Sequence, residues 1–259
     1  MKLGKGRILL RWALAVLYAA AGYLGGGLLY ARYVRSTGDD GVLALYLFNA
    51  LQQGMIFALP ALLILSARPE RWQAFRGDLR PVGFPTASLS LLLAVSGTVV
   101  ASAIAALWSQ LIGYAGESPA LPDPRGAVEW PLSLAAVAAV PALCEELLFR
   151  GLIQSALCRR WPRAGVWLAA AVFAALHLEI GALPALLLIG LVLGKVYRRY
   201  GYWGSALVHA LYNGVVLVLS AREVRIDLLV LALCTVGCIF SLRGLLKEEE
   251  TSEADGPGV

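Results

Sequence analysis

The sequence predicts an all-α polytopic membrane protein, a bundle of about eight transmembrane helices enclosing a polar cavity. Three observations carry that expectation. Of 259 residues, 59% are hydrophobic and 15% charged, and the mean hydropathy is +0.72, where a soluble domain is nearer half apolar and a quarter charged. Apolar runs of about 20 residues, the length a bilayer core demands of a helix, recur along the chain. Lys and Arg gather in alternate junctions between those runs, as they do where positive charge orients spans. The formal charge of +5 therefore reads as an orientation signal and not as a nucleic-acid surface.

The spans are expected near 8–30, 42–66, 86–114, 130–158, 164–180, 182–199, 203–220 and 225–243. The first begins with Lys2, Lys5, Arg7 and Arg11 and has a small-residue patch at Ala19–Ala21, so a cleaved signal peptide is one reading. Apolar character continues through Leu28 and Leu29, which favours a retained helix. The segment 67–85 after the second span mixes Arg68, Arg71, Arg76 and Arg80 with Trp72 and Phe75 and is expected to lie along the headgroups. The fourth span exceeds what a bilayer needs and is expected to tilt or protrude. The short fifth and sixth read as a tight hairpin turning around Gly181 and Pro184. Arg159, Arg160 and Arg163, then Lys195, Arg198 and Arg199, mark the basic side again. Alternation through eight spans places both termini in the cytoplasm, although Arg222 and Arg225 reduce the contrast at the last outer loop. Residues 1–245 form one integral membrane domain, and the acidic tail 246–259, free of aromatics, is expected to be disordered.

Polar groups inside these spans are costly and mark function by default. PALCEELLFRGLIQ, at 141–154, carries Glu145, Glu146 and Arg150 within an apolar run. Glu146 and Arg150 are four apart on one helix face, in the favourable order, and can neutralise each other. Glu145 points about 100° away and needs another partner. The chain's two histidines, His177 and His209, both fall inside later spans, and Asn213 follows His209 by one turn on the same face. A polar cavity shared by Glu145, His177 and His209 suits amide hydrolysis. A desolvated glutamate activates water as a base, and His209 with Asn213 offers N–H donors to a carbonyl oxygen. Two other chemistries use similar groups: zinc held by Glu145, His177 and His209 with an open position, and proton relay in a transporter. HExxH spacing on one helix is absent. Cys144, Cys158, Cys234 and Cys238 show no disulfide or zinc-knuckle pattern and read as apolar filler.

These residues resemble the CPBP family of CAAX-protease and bacteriocin-processing membrane proteins, also called the ABI group, itself similar to the type II CAAX prenyl endopeptidases. Glu145-Glu146-Leu-Leu-Phe-Arg150 fits its EExxxR motif, Phe173-Ala-Ala-Leu-His177 its FxxxH motif, and His209-Ala-Leu-Tyr-Asn213 its HxxxN motif. The resemblance covers about 130–217. One departure is that Leu187, Leu188 and Ile189 precede Gly190, where the family often has an aromatic.

The resemblance implies an intramembrane endopeptidase with Glu145 as water-activating base, His177 assisting, and His209 with Asn213 at the oxyanion. Glu146, Arg150 and Phe173 support them. It implies a peptide or protein substrate associated with the bilayer, lipidated in CAAX-type relatives, and no nucleic-acid partner. The family is often labelled metalloprotease, but a glutamate and histidine mechanism needs no metal for the attack. No cofactor is therefore favoured, with zinc as the alternative. Arg outnumbers Lys 18 to 4, which is compatible with a GC-rich prokaryote, and the plasma membrane is then the expected location.

Overall fold

A computed structural model describes residues 5–38, 41–116, 124, 126–222 and 226–247; within the first helix, the side chains of 5–17, 19, 20 and 23 are not described. The acidic tail beyond 247, Arg225 and most of the loop at 117–125 lie outside these residues. Eight helical elements follow in order, with no strand among the described residues. They are α1 (Lys5–Thr37), α2 (Val42–Ser66), α3 (Pro69–Gly77), α4 (Phe84–Leu111), α5 (Gly126–Arg160), α6 (Gly165–Leu176), α7 (Leu183–Ala221) and α8 (Leu228–Leu246).

Among the described residues, five helical stretches are long and apolar enough to cross a bilayer: α2, α4, α5, α8 and α7 with the turn that precedes it, Ile180–Ala221. The chain is an integral membrane protein of all-helical architecture, and its eight expected spans do not correspond to eight such helices. The expected fifth span is the 12-residue α6, about 18 Å long, which falls short of a bilayer core. The expected sixth and seventh spans are the two parts of α7, separated at Gly201. The headgroup segment contains a helix of its own, α3, which Pro69 opens at a position where its missing N–H costs nothing.

α2 and α5 are not regular. A π-helical turn interrupts α2 at Gly54–Ala58, and two interrupt α5, at Leu134–Ala139 and Leu147–Gln154. Such turns shift the faces of a helix and leave carbonyls that need other donors. In α5 the Asn49 amide of α2 donates to the Ala136 carbonyl at 2.9 Å, and the Ser155 hydroxyl donates to that of Arg150 at 2.9 Å.

The break in α7 is built from both sides. Gly201 has φ 73° and ψ −163°, a region open essentially to glycine. A Cβ there would stand 2.1 Å from the Asp78 carbonyl oxygen. That carbonyl accepts the Tyr202 N–H at 2.8 Å, satisfying a donor at the start of the second part. Arg80 donates to the carbonyls of Arg199 at 2.7 Å and Arg198 at 3.1 Å, capping the end of the first part. The Asp78 carboxylate accepts the Tyr197 hydroxyl at 2.7 Å. The short segment after α3 thus fixes the angle between the two parts of α7.

The core lies where these elements meet. Phe57 of α2, Phe149 of α5, Phe173 of α6, Leu193 and Val208 of α7 and Leu245 of α8 are all buried in one cluster. Large apolar side chains such as Leu63, Leu91, Leu107 and Leu233 remain exposed, the surface a lipid-facing bundle presents. Packing between helices then depends on close fit more than on escape from water. At Gly190 a Cβ would come within 3.1 Å of the Ala170 Cα. This close approach lets α7 lie against α6 beside the polar cluster.

Candidate active site

Glu145 and Glu146 leave α5 at the junction between its regular turn Val140–Glu146 and the π-helical turn Leu147–Gln154. Glu146 is fully buried and fully partnered. Arg150 Nε donates to its Oε2 at 3.1 Å, the Ser205 hydroxyl donates to the same oxygen, and His209 Nδ1 stands 3.0 Å from Oε1. The Glu146–Arg150 pair expected from helical spacing is present, and it extends across to α7. The Arg150 guanidinium also lies 4.9 Å from the centre of the Phe173 ring, a contact that offsets part of its burial.

Glu145 is the opposite case. It is 6% exposed, and among the described residues its buried Oε2 has no hydrogen-bond partner. His177 Nε2 and His209 Nε2 each stand 3.9 Å from that oxygen. Both imidazoles therefore point at one carboxylate oxygen, from α7 and from the residue that ends α6.

The far side of each ring fixes its orientation. His177 Nδ1 is 2.8 Å from the Phe173 carbonyl, which only accepts, so this nitrogen carries the proton. With Nδ1 so engaged, the ring turns Nε2 toward Glu145. His209 Nδ1 donates in the same way to the Glu146 carboxylate. Phe173 packs between them, its ring 4.4 Å from that of His177 and 5.8 Å from that of His209. The side chain of His177 is 30% exposed and that of His209 4%, so the site opens on the His177 side. The next residue, Leu178, has φ 55°, a left-handed conformation that ends α6 and is strained for leucine.

Asn213 follows His209 by one turn and is half-buried. No hydrogen bond engages its amide among the described residues. Sequence reading missed four contributors. Ser205 holds Glu146; Tyr202 donates from its hydroxyl to the Leu143 carbonyl at 2.9 Å, two residues before Glu145; and Asp78 with Arg80 braces the break. The only sequence cue was Ser205 four residues before His209, a helical spacing that places both on one face.

Cys144 adjoins this cluster in sequence but remains a half-buried free thiol. The alternative zinc set, Glu145, His177 and His209, meets at a single carboxylate oxygen. Among the described residues no group of three or more His, Cys, Asp or Glu side chains is arranged to hold a metal ion. The chemistry below routes no step through a metal.

Residues 127–215 match the family model of the Rce1-like type II CAAX prenyl endopeptidases. This Rce1-like domain is consistent with the CPBP resemblance. It spans about a third of the chain and includes every residue of the polar cluster from Glu145 to Asn213. No curated protein and no solved structure matches the chain.

Proposed function

We propose that the protein is an intramembrane endopeptidase that hydrolyses a peptide bond of a membrane-associated peptide or protein. The observation that carries this reading is the Glu145 carboxylate, buried, without a hydrogen bond on Oε2 and faced by two imidazole nitrogens at 3.9 Å. That spacing is too long for direct bonds and matches a water bridging the three groups.

Glu145 takes a proton from this water as its oxygen attacks the carbonyl carbon, with His177 Nε2 holding the nucleophile in line. The carbonyl π pair moves to oxygen, giving a tetrahedral oxyanion. His209 and Asn213 stabilise that charge from α7. Collapse of the oxyanion re-forms the carbonyl and breaks the C–N bond, and Glu145 returns its proton to the leaving amine. Glu146, Arg150, Ser205 and Phe173 position the reacting groups without touching the substrate. The bilayer supplies both the partner environment and the low dielectric that strengthens these interactions.

The test compares membrane peptides in cells carrying wild-type or Glu145→Gln protein. A precursor that accumulates only with the variant is the expected result and identifies the substrate. Identical peptide profiles, with a cellular phenotype kept by the variant, point instead to a non-proteolytic scaffold or immunity role. Flux into liposomes that follows a pH gradient points to transport.

A further inference from the structure

Three basic junctions of the chain meet at one end of the bundle. Arg80 caps the carbonyls of residues 198 and 199, which draws the segment after α3 to the break in α7. A cavity of about 350 Å3 opens between α3 and the last turns of α5, with Arg71 on one wall and Arg159 on the other. Phe75, Asp78, Ser155 and Cys158 complete the lining that matters here. None of these groups belongs to the Glu145 cluster.

We propose that this cavity binds the phosphate of an anionic phospholipid headgroup. Neither Arg71 nor Arg159 has a carboxylate or hydrogen-bonding partner among the described residues. Two guanidinium groups on facing walls suit a phosphodiester, whose oxygens match their planar forks. The one carboxylate in the lining, Asp78, accepts the Tyr197 hydroxyl at 2.7 Å and pairs with neither arginine among the described residues.

Position and shape argue for a lipid over a free anion. The cavity lies between the last turns of the span that ends at Arg160 and α3, which follows the span that ends at Ser66, the end of the bundle where acyl chains give way to headgroups. Its inner wall is apolar. Phe75 is 6% exposed and lies against Gly151, where a Cβ would meet its ring at 3.0 Å. Such a wall suits a glycerol backbone below a phosphate, and the volume is within the range of small-ligand sites. Attraction of juxtamembrane arginines to anionic headgroups is general; here it gains a walled site. A lipid held here binds only the folded chain, so occupancy raises its stability.

The test is a melting titration of the full chain in zwitterionic detergent with short-chain phosphatidylglycerol, short-chain phosphatidylcholine or inorganic phosphate. Phosphatidylglycerol is expected to raise the melting midpoint to a plateau, while the other two leave it in place. Arg71→Gln and Arg159→Gln are each expected to weaken the apparent affinity about fivefold, the worth of one arginine near a membrane surface. Arg76→Gln, on the same helix but outside the cavity, keeps it. Arg159 is exposed, so its variant folds whatever the cost of losing half-buried Arg71. An undiminished lipid shift in Arg159→Gln, or an equal loss in Arg76→Gln, overturns the site. A shift of the same size with inorganic phosphate overturns the lipid assignment. Glu145→Gln retains the full shift, which separates this result from any outcome on proteolysis.

Discussion

Glu145 and Glu146 are neighbours in sequence and opposites in surroundings. Glu146 receives an arginine, a serine hydroxyl and an imidazole, and none of its surface is exposed. Glu145 leaves one buried oxygen unbonded between two histidines. Burying a carboxylate costs several kcal/mol unless partners compensate. The fold meets that cost for Glu146 and leaves it partly unmet for Glu145. An unsatisfied buried group is tolerated where it has chemistry to do. Under the proposed mechanism this difference gives one carboxylate a supporting role and the other a reactive one, and single substitutions can break that division.

The largest expected effect is on activity alone. Glu145→Gln keeps shape and removes the base, so cleavage of a membrane peptide substrate is expected to fall on the order of 10³-fold. The melting midpoint should stay at or above the wild-type value, because an uncompensated buried charge is gone. A variant that melts lower and cleaves normally reverses the two roles. Glu146→Ala is the counterpart. It leaves Arg150 buried without its carboxylate, and a loss of about 3–5 kcal/mol in stability is expected. Activity falls with it, since His209 loses the acceptor on Nδ1. Wild-type melting of Glu146→Ala in detergent defeats the supporting role.

Much of this division was legible in the sequence. The Glu146–Arg150 pair follows from a spacing of four, and Glu145 is the residue that spacing leaves over. Apolar length also identified α2, α4, α5 and α8. What could not be read was how the polar groups reach one another. At 1.5 Å of rise per residue, straight helices place Glu145 near the middle of the membrane, His209 nearer one side and His177 toward the other. The structure removes that mismatch with local irregularities. α6 ends after 12 residues, π-helical turns shift the faces of α5, and α7 breaks at Gly201. Each depends on tertiary partners such as Asn49, Asp78 and Arg80, which no periodicity announces. The Glu146–His209 contact was hidden for the same reason.

Asn213 tests whether the second part of α7 acts in the reaction or only in packing. Its amide has no hydrogen bond among the described residues, so Asn213→Ala strands no buried partner. An oxyanion donor contributes about 10²–10³-fold to the rate. A loss near the lower end is expected in kcat, with KM and melting close to wild type. A loss confined to KM indicates substrate binding without oxyanion stabilisation.

Ser205→Ala is the smallest change and the sharpest test of the boundary between the two carboxylates. Its hydroxyl donates to the same Glu146 oxygen as Arg150, and a hydrogen bond to a charged group contributes about 1.5–3 kcal/mol. The arginine remains after substitution, so the expected stability loss is at the low end of that range. Activity is expected to fall less than tenfold, through a His209 held by a less constrained carboxylate. Ser205→Thr, which keeps the hydroxyl, should recover part of the activity. If alanine lowers activity as much as Glu145→Gln while melting is unchanged, Ser205 acts on the substrate itself. The Glu146 side of the cluster then takes part in the chemistry proposed for Glu145.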